Sequence, residues 1–219
     1  MRTAAGVLAT VAVLVAGCAH TTAGIAVPTH TGPAAGVDDV LLSEADVNKI
    51  MGTTTMAVVD ESQQMADNSG DVSDTKCLGA LYNAEETIYD GSGWTDVADQ
   101  VVTEPEYDSG AWVEQTAVRF PSPQRAKEFL EKSKTRWTDC IGTAITVDSG
   151  SDQFRWRFEG VTIDGASVAQ TARQDDDTGW TCRHVLRAAS DVIVEVAACG
   201  MALHVEAAEI AEKIAANVE

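Results

Sequence analysis

The chain has 219 residues, 45% of them hydrophobic, enough for one large domain with a sizeable core. Its 15 Lys and Arg stand against 34 Asp and Glu, a formal net charge of −19. That balance argues against a nucleic-acid partner, whose phosphates demand basic patches, and against adhesion to an anionic membrane by charge alone.

Met1-Arg2 opens the chain with a positive charge, and residues 4–16 are almost all Ala, Val, Leu or Gly. This apolar run is shorter than the about 20 residues a membrane span needs, and it fits the h-region of a signal peptide. Val15-Ala16-Gly17-Cys18 resembles the bacterial lipobox: branched apolar, small, small, cysteine. In that signal the thiol receives a diacylglycerol and the peptide is cut before the cysteine. The expectation is a signal peptide over 1–17 and a membrane anchor on Cys18 at the extracytoplasmic face of the cell membrane. Two or three acyl chains, at about 0.8 kcal/mol per buried CH₂, hold such a protein stably. Residues 18–39, mostly Ala, Thr, Gly and Pro without a period, read as a disordered tether with an end-to-end distance of roughly 25 Å.

Ser43 and Asp46, followed by Gly52, predict a capped helix over 44–51. Residues 53–61 read as a strand and 63–75 as an acidic loop. A short helix is expected over about 78–87, ended by Asp90-Gly91. Two strands follow in residues 94–106 and 111–120, with a turn around 107–110. Ser122 as cap and Pro123 at the first position open the clearest helix, 123–137. Ala126, Phe129, Leu130, Ser133 and Trp137 form its apolar stripe, and Arg125, Lys127, Lys132, Lys134 and Arg136 make its other face basic. Strands are predicted at 143–148, 153–159, 161–174, 180–189 and 192–199, and a closing amphipathic helix over about 204–218. Strands in a run with inserted helices mean an α+β domain, residues 40–219, with an antiparallel sheet and flanking helices.

Cys18 aside, four cysteines remain: Cys77, Cys140, Cys182 and Cys199. An even number in an exported chain suggests two disulfides, with three possible pairings. If Ser190-Asp191 is the turn of a hairpin, Cys182 faces Cys199 in a non-hydrogen-bonded pair, with Cα atoms about 4.5 Å apart. That spacing suits a disulfide. Cys77 with Cys140 follows by elimination. A zinc site is the rival, but no CxxC or Cys/His knuckle supports it, and no metal or cofactor is expected.

The chain has no GxSxG, HExxH, P-loop or GxGxxG, so no catalytic residue is assigned and an enzyme is not expected. Asp67–Asp71 and Asp175–Asp177 lack calcium-loop spacing and read as solvated turns. His184 reads as a satisfied or surface histidine. Arg155 and Arg157 project from one strand face; with Gln170 and Arg173 on neighbouring strands they are the candidate ligand cleft, suited to an anion.

The order of features carries a resemblance. Cys77-Leu-Gly-Ala is followed by Trp94, Val102-Thr-Glu-Pro105, Val118-Arg-Phe120 and Ala126…Phe129. Trp137-Thr-Asp-Cys140, Trp180-Thr-Cys182 and a Val-rich strand to Cys199 complete it. This resembles the PknH-like extracellular sensor domain of mycobacteria, found on a serine/threonine kinase and alone on many lipoproteins. The resemblance spans about 40–218. It implies one α+β domain with an antiparallel sheet, the pairs Cys77–Cys140 and Cys182–Cys199, and a central cleft lined by polar residues. These 219 residues contain no kinase domain and no transmembrane helix, so signal transduction is not carried over. The expected role is a non-catalytic envelope lipoprotein binding a small molecule, lipid or cell-wall fragment in its cleft. The alternative is a protein-interaction module that contacts a membrane or host partner through the basic helix 123–137.

Overall fold

A computed structural model describes residues 36–105, 110–176 and 178–218. The signal peptide, Cys18, the tether up to residue 35 and most of the turn at 107–110 lie outside the described residues.

Eight antiparallel strands form one sheet: β1 (Ala57–Ser62), β2 (Asp96–Thr103), β3 (Trp112–Arg119), β4 (Ala144–Asp148), β5 (Gln153–Ile163), β6 (Ser167–Gln174), β7 (Thr181–Ala189) and β8 (Val192–Gly200). Their spatial order is β1-β2-β3-β8-β7-β6-β5-β4. The chain meanders through β1 to β3, crosses to the far edge, then meanders back until β8 pairs with β3 in the middle. Period-two alternation gives the sheet two buried faces, each with its own apolar cluster.

The crossing is made by a helix, Pro123–Asp139. It takes its place with α1 (Glu44–Met51), α2 (Leu78–Leu81) and α3 (Glu86–Tyr89) before it in the chain, so it is α4; α5 (Glu206–Val218) closes the domain. The Ser122 side chain accepts from the Arg125 N–H at 3.4 Å, and Pro123 sits where no N–H is needed. All five stripe residues of α4 are buried. With α2 and α3 they cover one face of the sheet, against Phe158, Leu186 and Ile193. α5 lays Ile210, Ala211 and Ile214 on the other face, against Val185, Val194 and Val196.

Order begins earlier than the composition suggests. Val37–Val40 is a 3-10 turn whose Val37 is buried in the second cluster. Asn217 donates to the Val40 carbonyl at 2.9 Å, and Gln115 brackets Leu42 with two backbone bonds of 3.0 and 2.8 Å. Those ties, made to residues far along the chain, fix a segment whose own sequence reads as tether.

Two expected elements differ. The helix expected at 78–87 is broken in two, with Ala84 at φ 47° between α2 and α3. The cause is tertiary: Ala66 accepts from the Glu86 N–H at 2.7 Å and donates to the Ala84 carbonyl at 2.9 Å. The strand break expected at Gly160 is a β-bulge, with β5 running on to Ile163. The real turn is at 164–166, where Asp164 Oδ1 accepts from the Ala166 and Ser167 N–H groups at 2.8 and 2.7 Å.

The hairpin register is as predicted: Ala189 pairs with Val192, and Cys182 with Cys199. The Cys182–Cys199 disulfide spans Cα atoms 4.0 Å apart, and Cys77–Cys140 spans 5.7 Å.

Candidate ligand site

The pocket begins with one row across the sheet. Thr103 pairs with Trp112, Trp112 with Cys199, and Cys199 with Cys182, so all four side chains leave the face that α4 also covers. Beside this row, Trp156 pairs with Gln174, whose N–H donates to the Trp180 carbonyl at 2.9 Å. Leu81 and Tyr82, at the end of α2, close the third side. Together with Gly110, Thr103, Trp112, Cys199, Cys182, Trp156, Trp180, Leu81 and Tyr82 line a cavity of about 250 Å³, and among the described residues no charged side chain is in its wall. Three indoles, a phenol and a disulfide make that wall.

The next two rows on the same face are polar. Glu114 follows Trp112 by two residues; His184 follows Cys182; Asp99, Thr116 and Glu195 lie one row deeper. Tyr89 Oη donates to Glu195 Oε1, and Glu195 Oε2 meets His184 Nε2 at 3.2 Å. Trp137 of α4 covers the imidazole, with ring centroids 4.5 Å apart. Thr116 donates to Asp99, and Asn83 donates to Thr116 Oγ1 at 3.1 Å and to the Glu114 carbonyl at 3.3 Å. Glu85, buried at the start of α3, accepts from the Asn68 N–H at 3.1 Å.

These carboxyls repel one another in a place poor in water. Burial, then the charges of Glu195 and Asp60, raises Asp99 to about 6, against the Thr116 bond. Burial pushes Glu114 well up, helped by Asp99, Glu195 and Glu85. Glu85 is raised chiefly by burial. Tyr82, in the pocket wall, is pushed up to about 12 by burial and by the charges of Glu85, Asp71 and Glu114. Several buried atoms lack a protein partner: Asn83 Oδ1, both amide atoms of Gln170, Ser133 Oγ and His184 Nδ1.

The four residues expected to form the cleft are not brought together. Arg155 and Arg157 stand on the opposite face from Trp156, exposed, and share Asp175 Oδ2 at 3.2 and 2.9 Å. Arg173, across from Arg157, bonds Glu159 at 2.7 Å. Two carboxylates on the same surface, Asp175 and Glu159, thus offset most of the charge of the three guanidiniums. Gln170 alone lies on the pocket side, buried opposite His184. His184 itself is buried, not at the surface, and only half satisfied.

The basic face of α4 is also less basic than its sequence suggests. Glu128 and Glu131 lie among the cations, Arg125 pairs with Glu128 at 3.3 Å, and Lys134 is buried on Glu131 at 2.9 Å. Among the described residues, no group of three His, Cys, Asp or Glu side chains is arranged to hold a metal ion, and no helix is long and apolar enough to cross a membrane.

Trp112 and Glu114 escape a reading of the sequence because their place depends on the pairing of β3 with β8. Trp180 does not: it precedes Cys182 by two residues, and alternation puts both on one face.

The profile of the PknH-like extracellular domain family matches residues 32–217. The chain is 31% identical over 179 residues to the serine/threonine-protein kinase PknH of Mycobacterium bovis and equally to that of Mycobacterium tuberculosis, in each case over 82% of this chain. It spans about 30% of the length of those kinases. The crystal structure of the extracellular domain of PknH from M. tuberculosis superposes with a TM-score of 0.77, covering 83% of this chain and 93% of that one, at 31% identity. The eight-stranded sheet that carries the pocket is thus shared with a domain that lies outside the cytoplasm, and the chain belongs to the PknH-like extracellular domain family.

Proposed function

We propose that this chain is a lipid-anchored, extracytoplasmic binding protein. It takes a small molecule, a lipid or a cell-wall fragment into the tryptophan-walled pocket and does not transform it. The observation that carries the reading is that cavity of about 250 Å³, walled by Trp112, Trp156, Trp180 and Tyr82, with buried polar groups on the adjoining rows of the sheet. Aromatic walls with a few convergent polar groups are what small-molecule sites are made of. The size fits a small ligand, or the headgroup or end residue of a larger one. A non-catalytic role is supported by His184, whose Nε2 meets Glu195 and whose ring is buried against Trp137. The Arg155, Arg157 and Arg173 surface is not part of this reading, because each guanidinium already holds a carboxylate.

Fractionated lipids and glycans from the cell envelope, added to the protein, are expected to raise its melting temperature, and Trp156→Ala should abolish the rise. No shift from any fraction would overturn the pocket. The anchor is tested apart from it. Cys18→Ser is expected to move the protein from the membrane to the soluble fraction and to remove the diacylglycerol mass; retention on the membrane would refute lipidation at Cys18.

A further inference from the structure

We infer that the pocket takes an organic cation, a molecule presenting a quaternary or primary ammonium group. The inference rests on the pocket being the binding site and names the chemistry it selects.

Among the described residues the wall supplies aromatic rings and no charged side chain: Trp112, Trp156, Trp180 and Tyr82 line the cavity. An aromatic ring's face is its negative side, so several rings around one small cavity favour a cation over an anion. The field from behind the wall has the same sign. Glu114 leaves β3 on the pocket side one pair below Trp112, and Glu85 follows Tyr82 by three residues. When ionised, both act on the Tyr82 hydroxyl as negative charges, together with Asp71; burial lifts both carboxyls, and a cation entering the pocket would favour their ionised form.

No cation answers them from the sheet. The arginines nearest the pocket row, Arg183 on β7 and Arg173 on β6, alternate with Cys182 and Ala172 and leave from the opposite face. Carboxyls on the rows behind an aromatic wall, with no arginine of the sheet on that side, disfavour phosphate, carboxylate or sulfate, which reverses the sign expected from the arginine cluster.

A second observation points the same way. Asn83, which follows Tyr82 and is 1% exposed, has an amide oxygen with no donor. Gln170, also 1% exposed, leaves β6 on the pocket side, one row below Ala172 and Cys182, and neither of its amide atoms has a protein partner. Buried acceptors without donors are costly, and a donor-bearing occupant removes that cost. Of these unpaired amide atoms two, Asn83 Oδ1 and Gln170 Oε1, are acceptors and one, Gln170 Nε2, is a donor, so acceptors outnumber donors among them. A neutral sugar could also stack on indoles. It would not explain why the rows of the sheet beside the pocket gather carboxyls that repel one another.

The test compares choline with 3,3-dimethylbutan-1-ol, its neutral isostere, using the full chain and reading tryptophan fluorescence and binding heat. Choline is expected to quench the indoles and to bind roughly tenfold or more tightly than the isostere. Glu114→Gln, which keeps the shape and removes the charge, should weaken choline and leave the isostere unchanged. Trp112→Ala should weaken both. Equal affinity for the two probes, or binding indifferent to Glu114→Gln, overturns the cationic class. If envelope fractions shift the melting temperature through Trp156 while choline does not bind, the class is wrong and the pocket stands. If neither probe nor any fraction acts through Trp112 or Trp156, the pocket itself is wrong and the inference falls with it.

Discussion

Asp99 takes up a proton on folding between about pH 4 and pH 6, because burial and its carboxylate neighbours lift it from about 4 to about 6. Glu114 and Glu85 are lifted the same way. A carboxyl whose folded value exceeds its unfolded value leaves the fold strongest below the unfolded value. That stability is lost as pH rises through the folded one. The domain is therefore expected to resist urea better at pH 5 than at pH 8, the reverse of the usual acid sensitivity. Asp99→Asn should stabilise it at pH 8 by about 2 kcal/mol, allowing for the partial exposure of the side chain, and change little at pH 4. An unchanged midpoint at pH 8 would show that the carboxyl is solvated. Gln170 gives a second measure. Gln170→Met keeps the volume and removes two buried atoms that have no protein partner, so it should stabilise the fold by about 1–2 kcal/mol in thermal or urea unfolding. If the pocket's function uses Gln170, ligand binding should weaken as stability rises.

Among the elements, α2 and α3 meet at Gly79. A Cβ there would lie 2.9 Å from Ile88 Cγ1, too near the branch of that side chain to be avoided by rotation alone. Gly79→Ala is expected to cost about 1–3 kcal/mol, read as a shift in urea midpoint, despite the better helix propensity of alanine. The two staples differ by the loops they close, 63 and 17 residues. In the chain-entropy model, removing Cys77–Cys140 costs about 4 kcal/mol and removing Cys182–Cys199 about 3 kcal/mol. Paired Ser variants in calorimetry give the ranking. What the sequence reveals at this scale is what neighbours along the chain decide. Ser122-Pro123, Ser43 with Gly52 and the Ser190-Asp191 turn each state their own geometry, so α4, α1 and the β7–β8 hairpin with its disulfide are legible. Ala84 and Gly160 mislead because their conformations are set by partners elsewhere, Ala66 and β6. The site is legible only where alternation reaches it from a known residue, as it does for Trp180. For Trp112 and Glu114 it needs a pairing with residues more than 70 positions away, which no local pattern announces.

The whole molecule is strongly acidic, with a net charge of −19, and among the described residues six of its 15 Lys and Arg side chains sit in ion pairs. Self-repulsion then works against compaction, and salt screens it within a Debye length of about 10 Å at 0.1 M. Thermal stability is expected to climb between low salt and 0.5 M NaCl; a flat or falling trend would mean that the surface ion pairs outweigh the repulsion. The strand order has a consequence for how the domain comes into being. β8 is the last strand in the domain and one of the innermost, inserted between β3 and β7. Until it arrives, each of those two strands offers an open edge, and both carry apolar side chains that the finished domain buries. A chain emerging N-terminus first therefore holds an unfinished sheet until nearly its whole length is free. Whatever escorts it must shield those two edges, and a truncation just before Val192 should yield aggregates rather than a smaller domain.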